Sequence, residues 1–217
     1  MRLVPPLLAM TMVLVVAGAA GAQTKVGGTA GISSQASGDS DLPYLGRGFG
    51  GTAVGVIATI DHDWTRHFTI GGEVSTAGAI SGDQSQRASG ATNAFVSHHR
   101  DTVFSGTAKL GAGIGGGVRL AAVGGAGGAY RHTFREGTTA SLLPPASRTP
   151  FSETVSDFVF AFTLGADVTF NISDHLALLA VGRFHQLHDD DRLPDGVVER
   201  GVSSRIYRAG IGAQWRF

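Results

Sequence analysis

From Phe158 to Phe170 the chain alternates without a break. Phe158, Phe160, Phe162, Leu164, Ala166, Val168 and Phe170 share one face, while Val159, Ala161, Thr163, Gly165, Asp167 and Thr169 share the other. A repeat of two is that of an extended strand, whose successive side chains point to opposite sides. The run is long for a strand in a soluble domain. It suits a tilted strand crossing a bilayer, which needs about 9–11 residues, with some overhang. The end of the chain repeats the pattern. Tyr207, Ala209, Ile211, Ala213, Trp215 and Phe217 alternate with Arg208, Gly210, Gly212, Gln214 and Arg216. Strands of this kind carry unpaired backbone groups along both edges, and inside lipid only closure into a barrel satisfies them all.

The same unit recurs along the chain. Strands are expected over about 25–35 and 48–60, and from Phe68 through Thr76 with Glu73 on its polar face. Further strands are expected over Val103–Ile114, Val118–His132, Phe158–Phe170, Leu176–Leu187 and Ser203–Phe217. That makes an all-β, eight-stranded antiparallel transmembrane barrel, with ten strands as the alternative if a long loop hides a further hairpin. Short connections fall at 61–67, at Gly115-Gly116-Gly117 and at 171–175, which is rich in turn-forming side chains. Longer ones fall at 36–47, 81–101, 133–157 and 188–202. Short periplasmic turns alternating with long external loops are what a membrane barrel requires. Trp64, Phe68, Phe170, Trp215 and Phe217 then form one interfacial girdle. Tyr44, Phe49, Phe104, Tyr130, Phe158, Phe184 and Tyr207 form the other.

The beginning of the chain supports export. Arg2 precedes an apolar run from Leu7 to Val16, and Ala20-Gly21-Ala22 has the small-x-small form of a cleavage site. Residues 1–22 are expected to be a cleaved signal peptide and 23–217 the barrel domain, starting at Gln23. No later stretch holds the roughly 18 consecutive apolar residues of a membrane helix. Gly accounts for 33 of 217 residues and charged residues for 16%, which suits many short-turned strands with an oily side. With no Cys, disulfides, thiolate metal sites and a Cys nucleophile are excluded. A net charge of zero gives no reason to expect a nucleic-acid partner.

Alternation does not say which face is outside. A soluble up-and-down barrel alternates too, but keeps its apolar face within. Here the second face carries Glu73, Lys109, Arg119, Arg131, Asp167, Arg183, Arg208 and Gln214, both signs together. That favours lipid outside and charge inside. Eight strands leave an interior that side chains just fill, and an unpaired buried charge is costly. Glu73, Lys109, Arg119, Arg131, Asp167, Arg183 and Arg208 are therefore expected to form a lumen charge network, with Asp167–Arg183 and Glu73–Lys109 as the preferred pairs. A narrow or gated pore is the alternative use of the same residues.

Taken together, the signal, the eight alternating strands and the Tyr207–Phe217 end resemble the small bacterial outer-membrane β-barrel families, the OmpA/OmpX/OmpW-like group. The resemblance spans nearly all of the chain after the signal. It implies a bacterial outer-membrane location, contact with outer-membrane lipid and lipopolysaccharide, and a monomer. It also implies that Tyr207, Ile211, Trp215 and Phe217 are the assembly signal read by the barrel-assembly machinery. No peptidoglycan-binding domain of the OmpA type is expected after the barrel.

Other motifs weaken on inspection. Gly46–Gly51 and Gly111–Gly116 match the dinucleotide pattern G-x-G-x-x-G, but neither is followed by the helix that would face a pyrophosphate. No cofactor is expected. His185, His188 and Asp189-Asp190-Asp191 could hold a divalent cation, and distantly resemble the site of outer-membrane lipid A deacylases. The Ser that should follow the His is replaced by Gln186 and Leu187, so a solvated acidic loop is expected, with no metal or catalytic role. His98-His99 is expected to be solvated, and Pro144-Pro145 with Pro150 to make 133–157 irregular. Three functions remain in order: a structural or surface-interaction protein with a filled lumen, a narrow channel for small or apolar solutes, and a lipid A-modifying enzyme.

Overall fold

The structure, a computed structural model, describes residues 23–37, 50–88, 91–141, 147–188 and 204–217. Residues 1–22, Tyr44, Phe49, the Asp189–Asp191 run and most of the last long loop lie outside them. The strands are β1 (Thr24–Ser37), β2 (Gly50–Asp63), β3 (Phe68–Ala77), β4 (Ile80–Ala88) and β5 (Ala91–Gly115). They continue with β6 (Val118–Ser141), β7 (Arg148–Asn171), β8 (Leu176–His188) and β9 (Ser204–Arg216). Each pairs antiparallel with its neighbours, and β9 returns to β1, with Lys25 opposite Arg216 and Ser37 opposite Ser204.

β4 is a continuation of β3 along the same partner, β5. Thr76 faces Thr102 and Ile80 faces His99, so Ala77, Gly78 and Ala79 oppose Arg100 and Asp101. One extra residue on one side is a β-bulge, which bends the strand without ending it. The closed ring therefore has eight members, β1, β2, β3, β5, β6, β7, β8 and β9.

Side-chain parity follows from closure. Along β7 and β9 exposed and buried residues alternate through the whole spanning segment. Outside stand Ile211 at 75% exposure, Val54 at 73% and Phe158 at 69%. Inside, Glu73 and Arg183 are 3% exposed. A soluble barrel would show the reverse, so the apolar side faces lipid and the charged side the lumen. No helix among the described residues is long and apolar enough to cross a membrane, and the crossing is made by strands.

The three short connections have distinct local causes. Gly115, Gly116 and Gly117 have φ of 99°, 59° and 77°, a left-handed run that glycine alone adopts freely. It joins β5 to β6 through a two-residue turn whose twist matches the strands. Between β2 and β3, the Phe68 amide donates to Thr65 Oγ1 at 3.0 Å. Between β7 and β8, the Leu176 amide donates to Ser173 Oγ at 3.1 Å. These turns share an end of the barrel with both chain ends of the ring, the periplasmic end for a barrel of this pattern.

At the other end the expected loops 81–101 and 133–157 need correction. Most of both is strand: β5, β6 and β7 run for 25, 24 and 24 residues. At about 3.3 Å per residue such strands are far longer than a bilayer requires. The apolar outward row on β7 ends at Phe158, above which come Ser156, Thr154, Ser152 and Pro150. Ser, Thr and Gly there erase the hydrophobic period without removing a single ladder hydrogen bond, so the sequence reads as loop while the backbone stays extended. Pro150 has no N–H to donate, and is tolerated because β7 at this height is paired to β6 alone among the described residues. The hidden hairpins lengthen existing strands and leave the ring at eight.

Candidate functional site

The lumen gathers most of the chain's inward chemistry, in layers. At the turn end Lys25 makes an ion pair with Asp63, which also accepts from Thr69 Oγ1 at 2.6 Å. Arg119 approaches the same carboxylate at 3.7 Å.

The next layer holds the densest charge. Lys109 Nζ on β5 donates to Asp61 Oδ2 on β2 and to Asp167 Oδ2 on β7, each at 2.8 Å. Arg183 on β8 donates from Nη1 to Asp167 Oδ1 at 2.5 Å and from Nε to Glu73 Oε2 on β3 at 2.7 Å. Gln214 on β9 adds a bond from Nε2 to Asp61 Oδ2 at 3.3 Å. β8 and β3 are diametrically opposite in the ring, so Arg183 reaches Glu73 straight across the interior. Lys109 and Arg183 are thus each shared between two carboxylates, and every carboxylate here meets a cation or an amide. A charge so far from water survives only with partners of this kind.

Above lies a hydroxyl layer. Ser105 Oγ and Thr163 Oγ1 are 2.7 Å apart, and Thr163 Oγ1 is 3.0 Å from His185 Nδ1. Arg208 donates from Nε to Ser33 Oγ at 3.2 Å, from Nη1 to Ser75 Oγ, and from Nη2 to the Asp101 carbonyl at 3.0 Å. His185 Nε2 lies 3.4 Å from Ser75 Oγ. This Ser–His pair has no access: His185 is 0% and Ser75 1% exposed, so no substrate reaches either.

Next comes an apolar patch on one side of the lumen. Val103, Ala129, Val159, Ala161, Leu187 and Ile206 pack as one buried cluster across β5 to β9. Above it Asp101 collects Gln35 Nε2 at 3.0 Å, His99 Nε2 at 2.9 Å and Arg131 Nε at 3.3 Å. Arg131 also donates to Ser204 Oγ at 3.1 Å.

All seven residues expected in the lumen lie there, with one preferred pair replaced. Asp167 and Arg183 meet; Glu73 takes Arg183 as its cation, and Lys109 bridges Asp61 and Asp167. Sequence reasoning missed Asp61 and Asp63, because Asp-His-Asp-Trp has turn composition although β2 runs through Asp63. It missed Asp101 by assigning 81–101 to a loop, and it placed His99 in solvent, whereas His99 is 5% exposed inside. Lys25 and Gln35 were inward by parity, the one signal that could have found them; His185, expected at the mouth of the solvated last loop, is buried inside on the face of Arg183. The apolar cluster was missed as well, because the second face of β7 read as polar from Asp167 while Val159 and Ala161 sit on it too. Tyr207, Ile211 and Trp215 point outward on β9, and Phe217 follows it, its amide donating to the Thr24 carbonyl at 3.0 Å. No cluster of metal-ligating side chains occurs among the described residues.

No protein-family model matches the chain, and no curated protein is significantly similar to it. Among solved structures, Neisserial surface protein A shares 11% identity over 89% of this chain and 97% of its own, at a TM-score of 0.49. A major outer membrane protein from Thermus thermophilus shares 15% over 91% and 100%, at 0.47. OprG from Pseudomonas aeruginosa shares 9% over 90% and 95%, at 0.44. Likeness of this degree has no bearing on function, and the closed ladder and its lipid-facing band stand on their own.

Proposed function

We propose that this outer-membrane β-barrel is a structural and surface-interaction protein of the cell envelope whose lumen does not pass solutes. The observation that carries the reading is the sharing of Lys109 and Arg183 among Asp61, Glu73 and Asp167, a bridge between opposite walls. An ion entering that layer must displace bonds of 2.5–2.8 Å that tie facing walls together. The apolar cluster at Val103, Val159 and Leu187 fills the β5–β9 side of the lumen above it, with Ser75, Gln35 and the Arg208 guanidinium at the same height, and narrows the way further. Outside the band, β4 to β7 extend as a tall sheet of Ser, Thr and charged side chains, a surface suited to recognition. The outward edge of β9, with Tyr207, Ile211, Trp215 and Phe217, is the proposed signal for the assembly machinery, and the closed barrel is taken as a monomer.

The absence of Cys makes a clean test possible. Wild-type protein in planar bilayers is expected to give no steady channel steps. Steady steps, blocked once a thiol reagent is attached to a Ser105→Cys variant, would establish passage through the lumen and end this reading. A narrow path for small apolar solutes is the second reading, favoured by Ala129 and Ala161 as the smallest members of the apolar cluster. Release of an apolar dye from protein-containing vesicles, without ion conductance, would support it.

A further inference from the structure

On the lipid-facing side of β5, β6 and β7, the first polar row above the apolar band is Arg100, His132 and Ser156. The ladder places Arg100 opposite His132 and His132 opposite Ser156, and all three are exposed. We propose that this row is a binding site for the phosphate of an anionic outer-leaflet lipid, whose acyl chains lie on the aromatic residues beneath.

Three observations converge on that ligand. The first is free donor capacity. No hydrogen bond or ion pair from the Arg100 side chain occurs among the described residues, and a guanidinium matches phosphate oxygens two at a time. His132 Nδ1 is engaged with Ser156 Oγ at 2.9 Å, which orients the ring and leaves Nε2 for a ligand. The second is the sign of the charge around it. The outward rows on either side read Thr102, Tyr130 and Phe158 below, and His98, Phe134 and Thr154 above, with no carboxylate. The nearest outward carboxylate on these strands is Glu136, two rows higher, opposite Val96 and Ser152. Asp101 and Asp157 belong to the other face of the sheet, Asp101 engaged inside with His99 and Arg131.

The third is continuity with the bilayer. Tyr130 and Phe158 lie one row below, 46% and 69% exposed, at the level where aromatic side chains mark the interface. The Phe158 ring lies over Gly128, where an added Cβ would come within 2.0 Å of it, so the ring is held flat against the barrel wall. A lipid seated there places its chains on phenyl carbon and its phosphate level with Arg100 and His132. A soluble anion would gain only the upper half of these contacts, which commits the site to a lipid.

The inference rests on the membrane placement and not on the lumen. Its test titrates detergent-solubilised barrel with lipid A, followed by native mass spectrometry, using dephosphorylated lipid A for comparison. Wild type is expected to retain lipid A in preference to the dephosphorylated form. The double variant Arg100→Gln, His132→Gln is expected to lose about tenfold in retention. Arg205→Gln removes an exposed arginine on β9, outside the row, and is expected to bind as wild type. Equal retention of both lipids, or an unchanged double variant, or an equal loss in Arg205→Gln, would overturn the site. The single variant Arg100→Gln serves if the double one misfolds, and must itself weaken retention. A heat-dependent gel shift run on each sample separates failure of the site from failure of the membrane barrel.

Discussion

Arg183→Met is expected to destabilise the folded barrel by about 3–5 kcal/mol, the usual result of removing one member of a buried ion pair. Arg183 is the cation of Glu73, at 2.7 Å, and shares Asp167 with Lys109. It also donates to the Ala166 and Gly182 carbonyls at 3.2 and 3.0 Å, so a methionine removes these bonds too and leaves the carboxylate without its donor. The destabilisation comes mostly from the stranded Glu73 carboxylate, not from the net worth of the pair. Glu73→Leu combined with Arg183→Met should therefore recover most of the loss, since an apolar replacement of a whole pair is often neutral. Urea titration of the barrel in lipid vesicles, read by the fraction of heat-shifted band, measures all three variants. A change below about 0.5 kcal/mol for Arg183→Met, the level of an ordinary surface substitution, would show the bridge to be incidental.

The second large effect is expected at the seam where β9 closes on β1. Gly31 and Gly212 both face inward there, and both sit against backbone. A Cβ at Gly31 would come within 1.9 Å of the Ala209 carbonyl oxygen, and one at Gly212 within 1.9 Å of the Gly28 carbonyl oxygen. A carbonyl in the ladder cannot rotate away as a side chain can, so the two strands must separate. Gly31→Ala and Gly212→Ala should each reach or exceed the ~1–3 kcal/mol typical of overpacking. The double variant should fail to give the heat-shifted form. Gly28 lies on the outward side of the same seam, opposite Ala213, with nothing within 4 Å of its Cβ. Gly28→Ala should therefore be neutral within about 1 kcal/mol, or slightly stabilising through the unfolded chain. If all three alanines behaved alike, close approach at the seam would not be what holds glycine at positions 31 and 212.

Much of this architecture is written locally. Parity along Phe158–Phe170 and Tyr207–Phe217 depends only on chain neighbours, and the strand's repeat carries it directly. The Gly116-Gly117 turn and the Thr65 and Ser173 turn bonds are equally local. Parity also sorted Glu73, Lys109, Asp167 and Arg183 to one face before any contact was known. The upper halves of β5, β6 and β7 escaped because their Ser, Thr and Gly residues satisfy a ladder as well as any others while carrying no hydrophobic signal.

Asp61, Asp63 and Asp101 were hidden by composition, since aspartate at a strand end reads as turn until the ladder is seen to run past it. The pairing of the charges was out of reach for a different reason. Adjacent strands suggested Glu73 for Lys109, yet closure sets β8 opposite β3 and lets Arg183 take Glu73 across the interior. The sequence by itself determined which side chains turn inward and which meet lipid, because alternation is enforced residue by residue. Only the closed ring decided which inward charges meet, because partners across a lumen are chosen by strand order and stagger, and no two of them need be near in the chain.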